Sequence, residues 1–231
     1  MADTRPDELT TAGAAEAPAD TLRMVRLGLV LLALLYVGGH LAWYGATPMG
    51  GFPVLDGREM VAMAKAIAEG TLAAEPFYRA PLFPALLALP AWLGLPDAAL
   101  PVMARLINLL AHIASTLLVF ELARRVWQAP AAGVLAGALY ALYPVAAHFA
   151  SDPLDVTVAT TLALAGTLAA WLAVERERPW LAAWAGVLVA LAALARPNLL
   201  VCLAALLPWL WWAGSRRQAL ALLAGSGIVL G

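Results

Sequence analysis

From Val25 onward the chain alternates long apolar runs with short polar interruptions. The runs fall at Val25–Tyr44, Leu100–Leu122, Ala131–Phe149, Leu154–Val174, Trp180–Ala195, Leu199–Ala213 and Gln218–Gly231. Most approach the ~20 residues that an α-helix needs to cross a bilayer. The pattern predicts an all-α, polytopic transmembrane helical bundle. The final run is too short to cross and stops without a cap or charged flank. The expectation is therefore six full spans plus a partial seventh, in what reads as a fragment of a longer membrane protein. Residues 1–22 are polar, acidic and rich in Ala and Pro, with neither a basic leader nor a small-residue cleavage site. They read as a disordered cytoplasmic tail, not a signal peptide, ahead of a membrane domain over 23–231.

One shorter apolar run, Pro81–Leu95, carries Pro81, Pro84 and Pro90, with Pro96 just beyond. Proline removes backbone donors and kinks helices, so a re-entrant or interfacial segment competes with a span. Charge separates the two. Arg23/Arg26, Arg124/Arg125, Arg176/Arg178 and Arg216/Arg217 mark four junctions, and the positive-inside rule wants all four in the cytoplasm. That holds only if Pro81–Leu95 does not traverse. The expected topology is a multi-pass protein of the cell membrane with a cytoplasmic N-terminus. The loop 45–99 and the turns at 151–155 and 196–198 then share the outer face.

Composition agrees with the membrane class. Hydrophobic residues make up 63% of the chain and charged residues 13%, against roughly 45–50% and 25% in soluble domains. A net charge of −1 gives no electrostatic basis for a nucleic-acid partner. With a single cysteine, Cys202, no intramolecular disulfide is possible, and its apolar surroundings read as those of a buried, inert thiol.

The first outer loop departs from this apolar background. Asp56, Arg58, Glu59, Lys65, Glu69, Glu75 and Arg79 all lie within it. Met60, Met63, Ala64 and Ile67 repeat at helical spacing, which predicts an amphipathic juxtamembrane helix over Gly57–Glu69. Asp56 at its N-cap with Glu59 three residues on resembles a capping box. The same position also exposes a carboxylate at the membrane boundary. Asp152 and Asp155 flank Pro153 and read either as caps of the next helix or as site carboxylates. Arg196 and Arg79 read either as snorkelling side chains or as anion ligands, since a guanidinium matches phosphate geometry.

Other features have structural readings. Arg105 and His112, seven residues apart, share one face of a span. His40, His112 and His148 lack metal-ligand spacing, and no metal site is read from the residues. Trp43, Trp127, Trp180, Trp209, Trp211 and Trp212 cluster at segment ends like an interfacial belt. Gly133 and Gly137 read as helix packing. There is no Walker loop, dinucleotide fingerprint, HExxH or GxSxG.

Taken in order, several motifs resemble the GT-C superfamily of membrane glycosyltransferases. They are Asp56 with its helix through Gly70, Phe77-Tyr78-Arg79-Ala80-Pro81-Leu82-Phe83-Pro84, Val102–Leu106, Leu122–Trp127, Ser151-Asp152-Pro153 and Leu191–Asn198. The likeness is to the family 39 type, which includes protein O-mannosyltransferases, aminoarabinose–lipid A transferases and the Rgt-type domain. It implies a hexosyl- or pentosyltransferase that takes sugar from a polyprenyl-phosphate donor to a lipid, glycan or protein acceptor on the outer face. By resemblance Asp56 is the catalytic base, Arg79 and Arg196 bind the donor phosphate, and Asp152 lies beside the site, with Glu59 and Asp155 as further carboxylates. No cofactor is implied, and a divalent metal stays open. Many relatives carry Asp-Glu where this chain has Asp56-Gly57, and some carry lysine where it has Arg196. The competing reading is a non-catalytic membrane subunit or a permease of a glycolipid or cell-envelope pathway, which would place polar groups at mid-span.

Overall fold

Inside hydrocarbon a backbone must satisfy its own hydrogen bonds, so an apolar chain forms helix wherever proline permits. In the computed structural model, which describes residues 18–51, 53, 55–72 and 79–231, the described residues form eleven α-helices and no strand. These are α1 (Ala19–Gly45), α2 (Pro48–Gly51), α3 (Leu55–Glu69), α4 (Leu82–Trp92), α5 (Leu100–Val126) and α6 (Pro130–Ala141). They continue with α7 (Pro144–Ser151), α8 (Val156–Glu175), α9 (Pro179–Ala195), α10 (Leu200–Trp209) and α11 (Arg216–Leu230). Helix α1 begins four residues inside the stretch expected to be tail. Residues 1–17, along with Glu75, Phe77 and Tyr78, lie outside the described residues.

Proline divides what the apolar runs present as continuous. The predicted helix over Ala131–Phe149 is two helices, α6 and α7, bent by 51°. Pro144 opens α7 and forces Tyr143 before it into an extended conformation (ψ 113°), as a pre-proline residue prefers. The run over Leu199–Ala213 is likewise interrupted. Pro208 lies inside α10, and the helix leaves it as a π-turn over Leu210–Gly214, because proline cannot donate the bond that would continue the ladder.

Among the described residues, four helical stretches are long and apolar enough to cross a membrane: Ala19–Gly45, Asp97–Val126, Val156–Glu175 and Pro197–Gly214. A fifth is added if the bent pair α6–α7 counts as one span. This is fewer than the six and a part that the apolar runs predict. The difference comes from α9, whose 17 residues are at the lower limit for crossing, and from the division of 131–149. Helix α4 has 11 residues, about 16 Å at 1.5 Å each, half of a ~30 Å hydrocarbon core.

Small residues let the helices approach closely. Helices α8, α9, α11 and the π-turn share a core of Ala170, Ala173, Leu181, Ala182, Ala185, Leu210, Ala219 and Leu222. A Cβ on Gly225 would lie 2.0 Å from the Ala183 carbonyl oxygen, and one on Gly186 would lie 2.0 Å from that of Leu222. Helices α9 and α11 therefore touch backbone to backbone. Gly133 packs on Phe120 and Arg124 of α5, and Gly137 on Leu29 and Phe120. A second core joins Met60 and Ala64 of α3 to Phe83 and Leu87 of α4, Leu100 and Ala104 of α5, and Val158 of α8. The amphipathic α3 is thus anchored onto the spans by its apolar side. Cys202 is half-buried, not buried.

The charged groups separate to opposite ends of the long helices. At one end, Glu121 of α5 accepts from Arg26 of α1 and from Arg124 and Arg125, and Arg125 reaches Glu175 at the close of α8. At the other end, Tyr44 closes α1, Arg105 lies near the start of α5, and Asp155 precedes α8. All six candidate site residues lie toward this second end.

Candidate active site

Asp56 stands in the first turn of α3, just after Leu55, whose φ of 48° is uncommon for a residue with a side chain. Both of its carboxylate oxygens accept from Arg79, from Nη2 at 2.5 Å and Nη1 at 3.2 Å. Glu59, one turn later, accepts from Arg79 Nε at 2.8 Å. The two acids thus serve as partners of one guanidinium, which replaces the capping-box reading. Glu59 and then Asp56, through these bonds, hold the Arg79 guanidinium above its ordinary pKa. The side chains of Asp56 and Glu59 remain 54% and 52% exposed, so a ligand can reach them.

Asp155 occupies the N-cap position of α8, yet its side chain makes no capping bond. Its Oδ1 instead accepts from Arg196 Nε and Nη2, each at 3.1 Å. The pair is asymmetric. Asp155 is 10% exposed and Arg196 41%, so the acid holds the base from below and the guanidinium faces outward. Arg196 Nη1 remains for another acceptor. An extended Arg196 (φ −144°, ψ 106°) ends α9 because Pro197 follows it.

Arg79 and Arg196, 117 positions apart in the chain by their numbers, line one open cleft of about 510 Å³. Its wall also includes Asp155, Pro81, Ala193, Pro197 and Asn198. Two guanidiniums and the carboxylate of Asp155 thus line it, while Asp56 and Glu59 stand behind the lining, bonded to Arg79. Among the described residues no three His, Cys, Asp or Glu side chains are grouped to hold a metal ion.

Asp152 does not line this cleft. Its Oδ1 accepts from Tyr44 at 2.8 Å, tying α7 to α1. Around it is a polar network that the sequence only half shows. Asn108 donates to the Asp152 and Leu154 carbonyls at 2.8 and 2.9 Å, Arg105 donates to the Ser151 carbonyl at 3.0 Å and to that of Gly50 at 2.5 Å, and His40 meets Ser151 Oγ at 2.9 Å. Arg105 and His112 stand out on their face of α5, but Asn108, one turn beyond Arg105, is missed. Its polar side chain in an apolar run was the available clue. Tyr44 and His40 gave none, since their partners come from a distant helix. The network fixes the 151–155 turn, and so fixes Asp155 beneath Arg196.

Neither a curated protein nor a solved structure shows significant similarity to this chain. Residues 78–230 match the sequence profile described as dolichyl-phosphate-mannose-protein mannosyltransferase. The matched stretch includes Arg79, Asp152, Asp155 and Arg196, while Asp56 and Glu59 precede it. That stretch covers most of the chain and includes the cleft described above. The chain therefore belongs to the dolichyl-phosphate-mannose-protein mannosyltransferase family, a family of membrane glycosyltransferases.

Proposed function

We propose that this cleft transfers a hexose or pentose from a polyprenyl-phosphate donor to an acceptor hydroxyl on the outer face of the cell membrane. The acceptor is a lipid, glycan or protein. The observation that carries the proposal is that Arg79 and Arg196 line one cleft, with Asp56 bonded to the first and Asp155 to the second. The arginine-rich end of the bundle faces the cytoplasm by the positive-inside rule, which puts the cleft outside. The short α4 supports this topology, with α9 and the bent pair completing six crossings and α11 starting a seventh.

The two arginines divide the work. Nε, Nη1 and Nη2 of Arg79 are committed to Asp56 and Glu59, so its task is to orient the base. Arg196, outward-facing with Nη1 uncommitted, takes the donor phosphate. Asp56 has about four lone-pair positions and gives two to Arg79, which leaves room for an acceptor hydroxyl. In the transfer Asp56 takes the hydroxyl proton. The acceptor oxygen bonds to the anomeric carbon as the bond to phosphate breaks, and the electron pair leaves on the phosphate oxygen beside Arg196. Attack opposite the leaving group inverts the anomeric centre.

The permease reading needs mid-span polar groups along a path. Among those present, His112 of α5 meets the Ala141 carbonyl of α6 at 3.4 Å, and two bonds join α5 to α8. Ser115 bonds Thr161 at 2.8 Å, and Thr161 bonds the Ala111 carbonyl at 2.9 Å. This arrangement supports helix adhesion over transport.

The test is sugar transfer from a panel of radiolabelled polyprenyl-phosphate sugars by the protein in membranes. Asp56→Asn is expected to lose at least ~10²-fold in turnover. Wild-type turnover in that variant removes Asp56 from the mechanism, and no donor consumed by the unmodified protein removes the proposal.

A further inference from the structure

Helix α3 has a third face. Met60 and Ala64 go into the core, while Asp56 and Glu59 turn to Arg79. Arg58, Val61, Ala62 and Lys65 follow one another at i, i+3, i+4 and i+7, so they align as a single stripe. That stripe walls a second cavity, of about 450 Å³, completed by Pro53 and by Pro101 in the first turn of α5. Apart from its two cations the lining is apolar. Lys65 is paired with Asp97, whose bond raises the ammonium pKa. An ammonium has three donors, so one acid leaves two. Arg58 is exposed and has no carboxylate partner among the described residues.

An unpartnered guanidinium and a half-committed ammonium over an apolar floor suit a ligand that is anionic at one end and greasy at the other. The cavity also opens beside Pro101, at the end of the candidate span Asp97–Val126. Lipid headgroups meet acyl chains at that depth. We propose that the cavity binds the phosphate of an anionic glycerophospholipid. Arg58 and Lys65 contact the phosphate oxygens, and Val61, Ala62 and Pro101 cover the glycerol and the first methylenes. The site is separate from the cleft of Arg79 and Arg196, and it uses no residue of the transfer mechanism.

The experiment is photo-crosslinking of the full chain in phosphatidylcholine vesicles doped with phosphatidylglycerol that carries an acyl-chain diazirine, with adducts mapped by peptide mass spectrometry. Adducts are expected to concentrate on the segments around 53–65 and 101–105. Arg58→Gln is expected to reduce them about fivefold, the effect of one cation near an anionic lipid, and Arg58→Lys to restore most of them. Adducts near Arg216 and Arg217 stay constant and report an intact fold. Equal labelling by a phosphatidylcholine probe, or unchanged labelling in Arg58→Gln, overturns the proposal. Displacement by glycerol phosphate would make the ligand a soluble phosphate, and displacement by polyprenyl phosphate would make it the sugar carrier. Either outcome also overturns it.

Discussion

Gly57 lies directly against Pro153: a Cβ on the glycine would be 2.8 Å from the proline Cγ. The helix turn that carries Asp56 thus rests on the turn between Asp152 and Asp155, two segments nearly a hundred residues apart. A second carboxylate beside Asp56, present in many of the enzymes this chain resembles, has no room here. Gly57→Glu is expected to destabilise the protein by about 1–3 kcal/mol through overpacking, with turnover falling as α3 lifts. Pro153→Ala removes the ring and should recover part of the loss. Thermal unfolding of the two single variants and the double variant in detergent measures the coupling, and strictly additive effects would exclude this contact as the cause.

Arg196 holds Asp155 through two nitrogens and has one left over. Arg196→Gln is expected to lower turnover by about 10²–10³, as loss of one preorganised donor does. Arg196→Lys keeps the charge but not the fork, so it should fall between, with stability close to the parent because the pair with Asp155 persists. Steady-state transfer kinetics give the ranking. Equal turnover in all three proteins would assign Arg196 to anchoring.

Tyr44 donates to Asp152 at 2.8 Å, and neither residue lines the cleft. Tyr44→Phe is expected to cost about 0.5–1.5 kcal/mol of stability and to leave transfer unchanged. A collapse of transfer with normal unfolding would instead put Asp152 in the chemistry.

Two glycines of α11 make a paired test of packing. Gly225→Ala places a methyl 2.0 Å from the Ala183 carbonyl, whereas a Cβ on Gly227 meets nothing within 4 Å. The first is expected to destabilise by about 1–3 kcal/mol, and the second to stabilise by about 0.5–1 kcal/mol through helix propensity. Unfolding midpoints that moved together would contradict the backbone contact between α9 and α11.

Much of the candidate site is legible in the chain because ionisable residues are costly in hydrocarbon and stand out against it. Asp56, Glu59, Arg79, Asp155 and Arg196 are all visible as charges at segment ends. Their partners are not. Helical periodicity relates residues three or four apart, while Tyr44 and Asp152 are 108 positions apart. For the same reason the acids at 56 and 155 read equally well as caps, and only the fold shows each one on an arginine. Asn108 is uncharged and repeats at no helical period, so the chain itself does not mark it.

Sequence alone determined that this protein is helical and built for a membrane. Apolar runs of that length can satisfy their backbone in lipid only by coiling on themselves, and arginine placement sorted the run ends into two groups. Tertiary structure decided the rest: where Pro144 and Pro208 break the runs, and which carboxylate each arginine takes. It also decided that Asp155 joins the cleft while Asp152 supports it. Those choices depend on which helices touch, and contact between distant helices is set by packing shape, to which local composition is blind.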